Sequence, residues 1–201
     1  LGEISTDDKI KIAERALEID PTFTEALDAL GSIYTKKKDY VKALLISNRM
    51  LEIKPDDYKY YYSRGSVKEK MKDFEGAIAD LTKAVELKPD YWSAYYQRAG
   101  AYGEIKNYEP AIADYTKVIA LKPDCYDAYL ERGYAYAMKG NNAQALVDYN
   151  KTIELKPDYA KAYSWRAIAY VEKANIPWAL ADCNKAIELD PAYAGYYGQR
   201  A

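Results

Sequence analysis

The chain contains no histidine, only two cysteines and no long apolar run. Each absence narrows the chemistry. Without imidazole no Ser-His-Asp or Cys-His site can be assembled, and no side chain titrates near neutrality at its ordinary value. Cys125 and Cys183 stand 58 residues apart, which is neither a disulfide framework nor a zinc-ligand spacing. Sparse cysteine usage slightly favours a cytoplasmic setting and leaves localisation otherwise unknown. No stretch of ~18 apolar residues exists to span a membrane, so no membrane insertion is expected of this segment. The formal net charge is only −2, from 29 Lys+Arg against 31 Asp+Glu, which argues against a nucleic-acid binder. What is abundant is tyrosine, with 23 in 201 residues. The 49% hydrophobic fraction is ordinary for a folded chain.

Prolines at 21, 55, 89, 123, 157 and 191 fall on a strict 34-residue period and close the phrases EIDP, EIKP, ELKP, ALKP, ELKP and ELDP. Proline cannot continue a helix and disfavours helical geometry in the residue before it, so a periodic proline is punctuation. With this proline at position 32 of a unit, five whole units run 24–57, 58–91, 92–125, 126–159 and 160–193, preceded by a partial unit at 1–23 and followed by the start of a sixth at 194–201. Small residues recur at position 8 (Gly31, Gly65, Ala99, Gly133, Ala167), position 20 (Ala43, Ala77, Ala111, Ala145, Ala179) and, mostly, position 27 (Met50, Ala84, Val118, Thr152, Ala186). Tyrosine prevails at positions 4 and 11. These spacings place them on single faces of two helices that approach closely. Asp39, Asp73, Asn107, Asn141 and Asn175 at position 16 are helix N-cap types between the two.

This pattern resembles the tetratricopeptide repeat family. It is clearest in Leu27-x-x-Leu30-Gly31-x-x-Tyr34, then Ala43, then Pro55. The resemblance implies an all-α, right-handed α-solenoid (superhelix) of stacked antiparallel helix pairs, a single solenoid over 1–201, with helix A of each pair lining a concave face. It also implies a non-catalytic protein–protein interaction scaffold. One well-known subclass grips a C-terminal carboxylate with Lys at position 5 and Asn at positions 6 and 9. Position 5 here is Asp28, Tyr62, Tyr96, Leu130 and Ser164, so that clamp is missing.

A second signature runs through the repeats. Position 7 is Leu30, then Arg64, Arg98, Arg132, Arg166 and Arg200, while position 23 is Ile46, then Asp80, Asp114, Asp148 and Asp182. Charge appears and disappears at the two positions together, which favours an Arg–Asp bridge between helices over an exposed anion-binding ladder. The basic rows at position 26 (Arg49, Lys83, Lys117, Lys151, Lys185) and position 31 are read as solvated and mixed in sign, because Glu52, Glu86, Glu154 and Glu188 stand three residues after position 26. Cys183, at position 24, is expected to be a small core residue. No Gly-rich phosphate loop or paired apolar carboxylates appear, so no enzyme and no cofactor is expected.

In the family, ligands lie along helix A positions 2, 5, 6, 9, 12 and 13. Read across the repeats, these hold seven acidic and four basic residues, with apolar side chains gathered toward the C-terminal end. The peptide- or protein-binding candidates are Tyr62, Tyr96, Gln97, Leu130, Glu131, Tyr134, Met138, Trp165 and Ile168. The expected partner is another protein or peptide, apolar at one end and neutral to mildly basic. Two alternatives stand beside it. The chain starts and stops inside a unit, as the scaffold or regulatory arm of a longer enzyme or sensor would. An uncapped end near Tyr196 and Tyr197 could instead support self-association.

Overall fold

The computed structural model describes residues 4–191. The expectations placed on Tyr196, Tyr197, Arg200 and the start of a sixth repeat lie outside them. Eleven helices and no strand are found among the described residues: α1 (Thr6–Ile19), α2 (Thr24–Lys36), α3 (Tyr40–Ile53), α4 (Tyr58–Lys70), α5 (Phe74–Leu87), α6 (Trp92–Glu104), α7 (Tyr108–Leu121), α8 (Tyr126–Met138), α9 (Asn142–Leu155), α10 (Ala160–Glu172) and α11 (Ile176–Leu189). The fold is an all-α solenoid of helix pairs, and α2, α4, α6, α8 and α10 start 34 residues apart. The contacts group residues 1–101 and 102–201 into two compact units.

The link inside each pair is built identically five times. Lys38, Lys72, Lys106, Gly140 and Ala174, all at position 15, take left-handed φ values of 55–77°. The next amide donates back to the carbonyl of position 11, as in Asp39 N to Tyr34 O and Asn141 N to Tyr136 O, each 2.9 Å. The position-15 amide donates to position 12, as in Gly140 N to Ala137 O at 2.8 Å. This is the Schellman arrangement, which satisfies the last carbonyls of helix A. Position 16 is then the N-cap of helix B. Asp39, Asp73 and Asn141 accept from the amides of Lys42, Gly76 and Gln144. Asn107 and Asn175 hold the same place without that side-chain bond.

Helix pairs close on the small positions. Ala77, Ala84, Ala99, Ala111 and Ala145 are all 0% exposed. A methyl added at Gly133 would come within 2.7 Å of the Tyr149 ring, and one at Gly65 within 2.9 Å of Leu81. In the first unit Ala26, Leu30, Tyr34, Ala43 and Val67 form one core cluster, and Ala77, Leu81, Ala84, Val85 and Ala94 another. In the second, Leu130, Ala145, Tyr149, Ala162 and Ala169 pack together.

Arginine at position 7 joins the helices across this layer. Arg132 donates through Nε and Nη2 to both carboxylate oxygens of Asp148, at 2.8 and 2.7 Å, and Arg64–Asp80 and Arg166–Asp182 repeat the fork. The remaining nitrogen, Nη1, reaches back to position 25 of the preceding helix B: Arg64 to Asn48, Arg98 to Thr82, Arg132 to Thr116 and Arg166 to Asn150. Each guanidinium also lies 5.4–5.7 Å from the ring centre of the position-4 tyrosine three residues earlier, Tyr61, Tyr95, Tyr129 or Tyr163. Asp148 is 2% exposed, and burial pushes its carboxyl above the ordinary carboxylate range, with Arg132 pulling it partly back. Desolvation of the buried carboxylate offsets much of the attraction, so the pair adds little net stability while its loss would strand a buried charge.

Two outcomes are expected. Asp148→Ala strands the Arg132 guanidinium and costs roughly 3 kcal/mol, whereas Arg132→Leu/Asp148→Ile, the Leu–Ile pair found at Leu30 and Ile46, stays within about 1 kcal/mol of wild type. Denaturant melts of the two variants decide it, and equal losses would contradict the pairing. At position 15, Lys106→Gly relieves left-handed strain and Gly140→Ala introduces it, each by about 1 kcal/mol in opposite directions. Melting temperatures moving the same way would contradict that.

Candidate functional site

The helix A candidates fall into two sets. In the first unit, Tyr62 is half-buried and lies edge-to-face on Tyr91, with ring centres 5.0 Å apart at 66°. Burial raises its phenol pKa. Burial, with the Tyr62 and Tyr58 rings beside it, pushes Tyr91 up to about 12. The Ser66 hydroxyl lies 2.7 Å from Gln97 Oε1 and 3.0 Å from the Tyr62 carbonyl, donating to one at a time. Gln97 is thereby tied to α4, helix A of the preceding repeat. Tyr96 is half-buried.

In the second unit, Tyr134 and Trp165 meet edge-to-face at 4.8 Å and 63°, both half-buried. Burial raises the Tyr134 phenol, helped by Tyr108, Glu131 and Glu104 nearby. Glu131 accepts from Lys161 Nζ at 2.8 Å. Met138 is 46% exposed. Ile168 lines a small apolar hollow of about 120 Å³ with Ala167, Val171 and Cys183. These side chains share α8 and α10, one repeat apart.

Two expectations are corrected. Leu130 is 1% exposed and belongs to the core with Ala145, Tyr149 and Ala162, so it presents no binding surface. Its aliphatic side chain turns into the layer between helix pairs, where Tyr62 at the same position only half-buries. Cys183 was expected in the core and is exposed. Its counterparts Leu81, Tyr115 and Tyr149 are at most 5% exposed, each with a further repeat alongside among the described residues.

Some participants carry no obvious signal in the sequence. The position-25 column Asn48, Thr82, Thr116 and Asn150 receives the third arginine nitrogen, and only its recurrence as Asn or Thr at one repeat position could have pointed to it. The position-31 lysines are more than helix-end charges. Lys156 Nζ lies 4.6 Å from the Tyr126 ring centre and 4.9 Å from that of Tyr159, and Lys88 lies 5.4 Å from that of Tyr58. The position-26 lysines pair as expected, Lys83 with Glu86 and Lys185 with Glu188 at 3.5 and 2.8 Å. Among the described residues no group of three His, Cys, Asp or Glu is placed to hold a metal, and no helix is long and apolar enough to cross a membrane.

A stack of capped helix hairpins on one period, with small residues at every crossing, defines a helical-repeat protein. The chain belongs to the tetratricopeptide repeat family. Models described as tetratricopeptide repeat match residues 30–99 and 92–125, and a TPR repeat model matches 136–173. Members of that family bind other proteins, and a general protein-binding role follows for this chain. Among solved structures it is similar to a MamA protein at 28% identity, over 86% of this chain and 94% of that one, with a TM-score of 0.78. MamA from Desulfovibrio magneticus RS-1 is 20% identical over 94% and 98%, with a TM-score of 0.78. YrrB, described as a TPR protein with an unusual peptide-binding site, is 18% identical over 94% and 98%, also at 0.78. These last two likenesses show the fold alone. No curated protein matches the chain.

Proposed function

We propose that the chain is a non-catalytic interaction module that holds a peptide segment or protein surface against its helix A faces, without a cofactor. The observation that carries this reading is the patch on α8 and α10: Tyr134 and Trp165 edge-to-face, with Met138 beside them in sequence register and 46% exposed. Half-buried aromatic side chains on a face not consumed by stacking are the usual anchors of protein interfaces. Glu131 on the same helix supplies negative charge, already answered in part by Lys161, so the favoured ligand is apolar with a mildly basic flank. Tyr62, Tyr96 and Gln97 form the corresponding set of the first unit. The peptide-binding site named for YrrB is compatible with this reading.

Met138→Ala, on an exposed side chain, is expected to weaken partner binding with no change in melting temperature. Trp165→Ala is expected to weaken binding more and to cost about 2–3 kcal/mol of stability, because it loses both the Tyr134 contact and packing against the Leu130 cluster. The measurement is affinity capture with the wild-type protein, followed by titration of the recovered partner against each variant. Unchanged affinity in both variants would remove α8 and α10 from the binding surface.

A further inference from the structure

The first repeat breaks the pattern where α2, α3 and α4 meet. Position 5, which carries Tyr62, Tyr96 and Leu130 on α4, α6 and α8, is Asp28 on α2. Position 9 is Ser32, as small as Ser66 and Gly100 on α4 and α6 where α8 has Tyr134, and position 6 of the following helix, Gln97 or Trp165 elsewhere, is Ser63. Position 3 of the following helix runs the other way: Tyr60 stands where Ala94, Ala128 and Ala162 are 0% exposed. The smaller side chains leave a hollow of about 390 Å³, with Leu27, Met50 and Tyr60 forming its floor and Asp28, Ser32, Ser63 and Lys36 its rim. That is far more than the ~30 Å³ one water molecule occupies.

Two polar groups there have no hydrogen-bond partner within the chain among the described residues and stay open to solvent, free to meet a ligand. The Tyr60 side chain is 8% exposed, and its hydroxyl has no hydrogen-bond partner among the described residues. The Asp28 carboxylate likewise makes no hydrogen bond or close ion pair among them. Although the residue is exposed overall, partial loss of hydration raises its pKa, with Asp57 and Glu25 adding to the rise and Lys54 and Lys59 opposing it. An aspartate kept in such a place is stabilised by a cation that also donates hydrogen bonds.

We propose that this hollow is a subsite for an arginine side chain of a peptide ligand. Its aliphatic stem would run over Leu27 and Met50, and its guanidinium would meet Asp28, with the Tyr60, Ser32 and Ser63 oxygens accepting the remaining N–H groups. Arginine suits it better than lysine, because five donors in a planar fork match several separated acceptors. Lys36 at the rim opposes the ligand's charge and sets an upper limit on affinity. The subsite rests on the reading of the chain as a peptide-binding module and supplies one element of its specificity.

The probes are N-acetyl-arginine amide and its uncharged isostere N-acetyl-citrulline amide, titrated into the 15N-labelled chain. The arginine probe is expected to shift the amides of Gly31, Ser32 and Ser63 saturably, and the citrulline probe to leave them in place. Asp28→Asn should weaken arginine binding at least tenfold. Ser32→Tyr, which fills the hollow with the side chain α8 carries at that position, should abolish it, and Lys36→Gln should strengthen it about twofold. Equal shifts from citrulline, or an Asp28→Asn affinity within twofold of wild type, would overturn the proposal. The Met138 and Trp165 titrations concern the other unit. A failure there with arginine binding intact, or the reverse, therefore separates the two readings.

Discussion

Each of Arg64, Arg132 and Arg166 does three jobs with one planar group. Its fork neutralises an aspartate inside the crossing of helix A and helix B, its third nitrogen reaches the helix B before it, and its face rests against a tyrosine one turn earlier. A guanidinium can do this because its donors point in fixed directions and its plane stacks. The geometry is unforgiving. A helix rotated or shifted along its axis would leave a buried carboxylate without its partner, which is far more costly than a misplaced methyl group. Close packing at glycine and alanine brings the helices together, and the arginine selects one register among the close-packed ones.

That division of labour leaves the outer positions of helix A free. The layer between helix pairs is largely satisfied by positions 4, 7, 8, 20, 23 and 27, with position 5 joining it at Leu130, so positions 6 and 9 have the most freedom to vary. They do vary. On α8 and α10 they hold an aromatic pair, on α4 and α6 tyrosine with a serine–glutamine contact, and around α2 a polar hollow. A uniform scaffold thus carries surfaces of different chemistry, as a protein-binding role requires.

Much of this was legible in advance because a repeat measures the same position five times. The proline period, the caps at position 16 and the small residues at crossings are local or nearest-neighbour requirements, and each recurs. The Arg–Asp pairing could be read because the two columns change together. The groove residues are another matter. Each repeat presents a different side chain there, so no column exists to compare. Leu130 shows the consequence: it sits in the core, against expectation, whereas Cys183 departs from a column that is otherwise buried.

The sequence by itself determined the fold class, the period, the capped turns and which columns pack, since all of these follow from helix geometry and local hydrogen bonding. Only the tertiary structure decided which side chains on a given face remain available. Availability depends on what the neighbouring repeat brings alongside, as Trp165 does to Tyr134 and Ser66 does to Gln97. It also decided that a hollow opens at Asp28, because that space depends on which side chains α2, α3 and α4 bring together there.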